Sequence, residues 1–241
     1  MNTPSRYRRL SRFGNRLAGI AALLLLAVHV FPALIFPRSV AAEGVTIRAR
    51  TALPPVAEQR LREAMELVQA SELYVPDRAE QIALCNNHPL FVVLAPGHGD
   101  SFAYSIPITD HIFIADADVE HNVARRAGAQ FNRRKLSAVL AHEITHGLIR
   151  HQLGWWRGLT LPSWIAEGYP DYVAQESSFP EDEGVRLLVE GKEDPSPSFR
   201  YFTWRKMIQH LIDKRHYTFR QIVDRAGEYD AIKREMVAAL K

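Results

Sequence analysis

A single cysteine, Cys85, occurs in 241 residues, so no disulfide can form within the chain. With Leu84 and Asn86 beside it and no second thiol to share a metal, Cys85 reads as a small buried residue; a catalytic thiol is the alternative. No glycine-rich phosphate loop, nucleophilic serine motif, internal repeat or low-complexity tract is present, which removes nucleotide-binding, serine-hydrolase and repeat architectures from consideration. Acidic residues are missing before Glu43, while Arg6, Arg8, Arg9, Arg12 and Arg16 crowd the N-terminus. That cluster accounts for the formal net charge of +3, and no nucleic-acid partner is expected from it. Hydrophobic residues make up 47% and charged residues 24%, enough to bury a sizeable core.

The longest apolar run, Leu17 to Phe36, is interrupted only by His29 and Pro32. About 20 apolar residues in a helix span the roughly 30 Å hydrocarbon layer of a bilayer. Arginines on its N-terminal side would stay cytoplasmic and send the following chain outward. The expectation is a basic cytoplasmic tail at 1–16, a transmembrane signal-anchor at 17–36 and a catalytic part on the extracytoplasmic (periplasmic) side. A secretory signal cleaved after Ser39-Val40-Ala41 is the competing reading. No cysteine stands directly after the run, so a lipid-modified anchor is not expected.

Residues 37–55 read as a linker with one short strand, Val45 to Arg48, and residues 56–241 as the globular domain. A helix is expected over Val56–Ser71, with Leu61, Ala64, Met65 and Val68 at helical spacing. Strands are expected at Gln81–Leu84, Leu90–Leu94 and His111–Ile114, the last ending in an acidic turn at Asp116 and Asp118. Helices are expected over Asn132–His151, Trp164–Glu176, Phe199–Lys214, Phe219–Ala226 and Tyr229–Leu240. Glu181-Asp182-Glu183 and Asp194-Pro195-Ser196-Pro197 read as solvated linkers. The fold class is therefore α+β, a small twisted sheet followed by a helical half.

Within the Asn132–His151 helix stands His142-Glu143-Ile144-Thr145-His146. Residues four apart share a helix face, so the two imidazoles can reach one ion, and Glu143 points beside that ion, where a general base belongs. The apolar flanks, Ala138 to Ala141 and Gly147 to Ile149, would bury the helix and hold its ligands stiffly. A zinc site needs a third protein ligand and an open fourth position. Glu167, on the next helix after a connection of 20 residues, is the candidate. Asp171, one turn further on, can accept the other ring proton of a ligand histidine and fix its tautomer. Two exposed histidines with solvated carboxylates are the alternative.

His142 to Leu148 together with Pro162 to Ala174 resembles the gluzincin metallopeptidases, the thermolysin-like and peptidase MA-like group. That resemblance implies a zincin-like fold, Zn²⁺ held by His142, His146 and Glu167, Glu143 as base and proton shuttle, and Asp171 orienting a histidine. It also implies that an extended peptide pairs along the strand before the motif helix, here His111–Ile114. An oxyanion donor from the C-terminal helices is expected too. Tyr201 is the first choice, ahead of His210 and His216, with core packing as its alternative role. Pro170 departs from the pattern and is expected to kink the ligand helix.

Two functions are consistent with these features. One is a membrane-anchored zinc peptidase acting on peptide or protein substrates. The other is a non-catalytic binding or scaffold protein that retains a peptidase fold with a structural or vestigial metal site.

Overall fold

The computed structural model describes residues 4–241 apart from 77 and 129, with side chains described from residue 15 onward. A five-stranded sheet is built from β1 (Arg38–Ala42), β2 (Val45–Ala49), β3 (Glu80–Leu84), β4 (Ala103–Ser105) and β5 (Ile112–Ile114), in the order β1-β2-β3-β5-β4. The β2–β3 and β3–β5 pairs are parallel, and the two outer pairs are antiparallel. A smaller antiparallel sheet holds β6 (Asp116–Asp118), β7 (Val123–Arg125) and β8 (Arg133–Lys135). Helices complete the domain: α2 (Ala57–Gln69) and α3 (His88–Leu94) within the sheet region, then α4 (Leu136–Leu153) through α11 (Tyr229–Leu240). The α+β class holds.

Strand alternation divides the apolar residues between two cores. Ile47, Ile82, Leu84, Ile112 and Ile114 face the main core with α2, α4 and the C-terminal helices. Ala83, Cys85 and Phe113 face a second core with Phe36, Phe91 and Leu94. Cys85 is fully enclosed there, and burial pushes its thiol up to about 12, which removes the thiolate a nucleophile requires.

The membrane-anchor expectation is corrected here. Among the described residues no helix is long and apolar enough to cross a membrane. Helix α1 (Pro4–Val30) ends before Pro32, which opens a 3₁₀ turn at Pro32–Leu34, so the helical part of the run, Leu17 to Val30, covers roughly 21 Å. The last turns of α1 and the segment after it pack onto the domain. Phe36 is wholly buried, Leu25, Val28 and Ile35 pack beside it, and His29 Nε2 lies 2.8 Å from the Leu94 carbonyl. The single-pass, extracytoplasmic placement is therefore not upheld. The side chains of the arginines at positions 6, 8, 9 and 12 lie outside the described ones.

Other local departures have identifiable causes. The 37–55 stretch contributes two sheet strands, joined by a tight Glu43–Gly44 turn with φ of 52° and 80°, the left-handed pair a two-residue hairpin needs. Leu90–Leu94 is helical, not a strand, because Asn87 caps it through Leu90 N–H at 2.9 Å and Pro89 suits its first turn. Asp116 and Asp118 form a strand facing Arg125 across the small sheet, at 3.3 and 3.4 Å. Glu181–Glu183 opens α8 (Glu181–Glu190), where acidic residues suit a helix N-terminus, and Glu181 pairs with Arg205 and Lys206. In the Asp194–Pro197 segment, Ser196 caps α9 (Pro197–Gln209).

Behind α4 sits a charged layer. Gly147 leaves room for it: a methyl there would lie 3.1 Å from Glu80 Oε1 and 3.2 Å from Arg78 Nη2. Arg78 and Arg150 both bond Asp110, at 2.9 and 2.7 Å. Glu80 is 3% exposed, and neither of its carboxylate oxygens receives a hydrogen bond, although Arg78 Nη2 is 3.3 Å away. It lines a cavity of about 20 Å³, room for roughly one water. Burial pushes the Glu80 carboxyl up to about 7 against the pull of Arg78. The folded value lies above the ordinary one, so this group's contribution to stability is full below the usual carboxylate range and lost as pH rises through about 7. Urea midpoints should consequently fall between roughly pH 5 and 8 in the native chain and fall less in Glu80→Gln. Equal slopes for the two proteins would contradict this role.

Candidate metal centre

Helix α4 is placed before its side chains can act. Asn122, from the β6–β7 turn, satisfies its first N–H groups: Asn122 O accepts from Leu136 N–H at 3.1 Å and Asn122 Oδ1 from Ser137 N–H at 2.9 Å. From Leu136 to Ile149 the helix is buried except at His146, so its rotation is fixed on nearly every side. At the far end Arg150 Nε and Nη2 both donate to Asp110 Oδ1.

The connection then returns the chain to the same place. α5 (Trp155–Leu159) and α6 (Ser163–Ala166) lead to Glu167, and α7 (Gly168–Val173) starts immediately after it. The helix is interrupted at Glu167, so the kink expected from Pro170 falls in the turn just before it. Because the helix restarts at Gly168, Pro170 occupies its first turn, where its missing N–H has no helical acceptor to lose. Gly168 permits close contact with α9: a methyl there would meet the Trp204 carbonyl oxygen at 2.8 Å.

Three donor atoms converge from these elements. His142 Nε2 and His146 Nε2 are 3.1 Å apart, and Glu167 Oε2 lies 3.4 and 3.7 Å from them. His142, His146 and Glu167 form a group able to hold a metal ion. Only one proton can lie between the two imidazole nitrogens, so the pair is poorly satisfied by protons alone.

Asp171 sets the tautomer. Its Oδ1 is 2.8 Å from His142 Nδ1, which holds a ring proton there and turns Nε2 toward His146 and Glu167. Asp171 is 1% exposed and is held in turn by Arg134 Nη1 at 2.9 Å. Burial disfavours a charged His142, but the Asp171 carboxylate outweighs it and the imidazole is pushed up to about 10. Burial likewise lowers His146, to about 4, with no carboxylate in contact strong enough to reverse it. Glu167 is opposed by burial yet held below the ordinary carboxylate range by His146 and His142. Glu143, 7% exposed, is pushed up to about 7 by burial.

No family model matches this chain, and no curated protein does.

A cleft of about 550 Å³ opens over these residues. Tyr201 lines it, whereas His210 and His216 do not; His210 instead faces Glu235 at 3.4 Å. Burial, and next the Glu167 and Asp171 carboxylates, raise the Tyr201 phenol, so it keeps its proton near neutrality. The strand expectation needs revision: β5 lies inside the sheet between β3 and β4, and the edge lining the cleft is β4. Of the tryptophans near the connection, Trp164 is buried with Nε1 on the Ala226 carbonyl at 3.1 Å, while Trp155 and Trp156 are exposed. None of the three lines the cleft.

Arg134 and Asn122 were not singled out from sequence. Each acts from the short β6–β8 sheet, whose three-residue strands carry little periodic signal.

Replacing Asp171 with Asn should weaken metal binding about 10- to 100-fold, because the amide orients the His142 ring less firmly and leaves Arg134 without its main partner. Competition with a chromophoric chelator measures this; unchanged affinity would remove Asp171 from the site.

Proposed function

We propose that this chain is a zinc-dependent peptidase of gluzincin type, with His142, His146 and Glu167 as metal ligands and Glu143 as general base. The observation that carries the reading is the convergence of those three donors in a cleft wall with a buried carboxylate beside them. Two imidazoles and a carboxylate are a zinc donor set, and the distances suit it. Bonds of about 2.0–2.1 Å in a tetrahedral site give donor–donor edges of about 3.3–3.4 Å, bracketed here by separations of 3.1, 3.4 and 3.7 Å. When bound, zinc would supply Lewis acidity, polarising a peptide carbonyl and easing deprotonation of a water.

The chain's own groups do the rest. Glu143 accepts the proton of the attacking water at a carboxylate oxygen and returns it to the leaving nitrogen. Asp171 keeps the His142 Nδ1 proton in place throughout. The Tyr201 hydroxyl donates to the oxygen that gains negative charge. The outer edge of β4 offers main-chain groups for an extended substrate. Hydrolysis then yields a carboxylic acid and an amine, with water as the only co-reactant.

A non-catalytic binding protein with a vestigial site is the second reading. It draws on the modest size of the chain and on Pro170, which follows the interruption of the ligand helix at Glu167 by three residues. The two readings separate on Glu143→Gln. For a peptidase, hydrolysis of an internally quenched peptide library by zinc-loaded full-length protein should fall at least about 100-fold, with zinc content unchanged. Zinc binding with no hydrolysis by the native chain would favour the binding protein, and equal hydrolysis by both proteins would remove Glu143 as the base.

A further inference from the structure

One corner of the cleft is cationic and has no part in the hydrolytic chemistry. Arg126 follows β7 and is half-buried in the cleft wall. Its guanidinium lies over the Phe102 ring, 4.9 Å from the centroid, and Nη2 donates to Ser198 Oγ at 3.1 Å. Ser198 is itself buried and bonded to Ser178 at 2.9 Å. The guanidinium plane is thereby fixed while most of its donors remain unspent.

Its neighbours make the contrast. Arg134 and Arg150 line the same cleft, and each is neutralised by a carboxylate, Asp171 and Asp110 respectively. Among the described residues no carboxylate lies within ion-pair distance of Arg126. Asp100, exposed and more distant, exerts only a weaker pull, and burial lowers the Arg126 pKa from its ordinary value. A half-buried cation lacking a partner carries a desolvation cost that an incoming anion relieves. A fixed guanidinium fork matches one kind of anion best, a planar carboxylate. Tyr201 lies within electrostatic reach of both Glu167 and Arg126, which links this corner to the hydrolytic centre.

We propose that Arg126 binds a carboxylate of the substrate, so that the cleft selects peptides presenting an acidic group. The proposal rests on the peptidase reading and names its substrate class. The carboxylate has two possible sources, a free C-terminus or an aspartate or glutamate side chain, and both offer the same chemistry to the guanidinium.

The test is calorimetric binding to full-length, zinc-loaded Glu143→Gln protein, which leaves peptides intact. Three probes are used: N-acetyl tetra-alanine as the free acid, the same peptide as its C-terminal amide, and an amidated analogue with one internal aspartate. The expected result is binding of at least one carboxylate probe about ten-fold tighter than the neutral amide. The acid and the aspartate amide distinguish the two sources. Adding Arg126→Ala should bring all three within about two-fold of one another, and Arg126→Lys should restore part of the preference. Equal binding of acid, amide and aspartate probes overturns the proposal. So does a uniform loss across all three in Arg126→Ala, which is what a purely structural role would produce, and so does no binding at all. Native protein that hydrolyses peptides with no carboxylate preference would leave the peptidase reading standing and sink this one alone.

Discussion

The contact on which the rest of the site depends is the buried bond between Asp171 and His142. It joins α7 to α4, and through Arg134 it also reaches the small β6–β8 sheet. Three elements distant in sequence are thereby locked around one imidazole. An unpaired Asp171 or Arg134 at this depth would cost several kcal/mol, of the order of 3–5 for breaking a buried pair. The arrangement is therefore close to all-or-none. Once Asp171 is seated, α7 is seated, and Glu167 at its start comes within 3.4 Å of His142.

Charge is arranged in layers around the motif helix. On the cleft side lie the two imidazoles, Glu143 and Glu167, with Asp171 and Arg134 beneath. On the far side lie Arg78, Glu80 and Asp110, brought close by Gly147 and leaving the Glu80 carboxylate short of donors, and Arg150 reaches from the cleft to Asp110. A helix with apolar contacts alone would be easier to bury, so this layer is costly in isolation. Its geometric effect is to tie the last turns of α4 to the loop before β5, with Asp110 as the shared acceptor for two arginines.

The parts of this account legible from sequence are those governed by local rules. Two histidines at helical spacing and a carboxylate on the following helix could be read without coordinates, because their geometry follows from helix periodicity. Asp171 was likewise reachable from its one-turn offset. The misreadings share a different cause. Leu90–Leu94 is apolar throughout, so its period is silent, and Asn87 decided its state. The run at Leu17–Phe36 looked membrane-spanning by composition, but Pro32 ended its helix and the sheet's back face claimed its last residues. Strand order is non-local as well, which is why β4 and not β5 forms the cleft edge. Arg134 and Arg126 lie on or beside three-residue strands, where nothing in the pattern marks them out.

His142, His146 and Glu167 are proposed to act as one zinc site. The most direct measurement is the metal content and zinc affinity of the purified full-length chain, set beside Glu167→Ala. The expected result is one equivalent of zinc per native chain, retained against a competing chelator, with affinity weakened by at least about ten-fold when the third ligand is removed. A folded native protein that takes up no zinc, or one whose affinity is indifferent to Glu167, would contradict it.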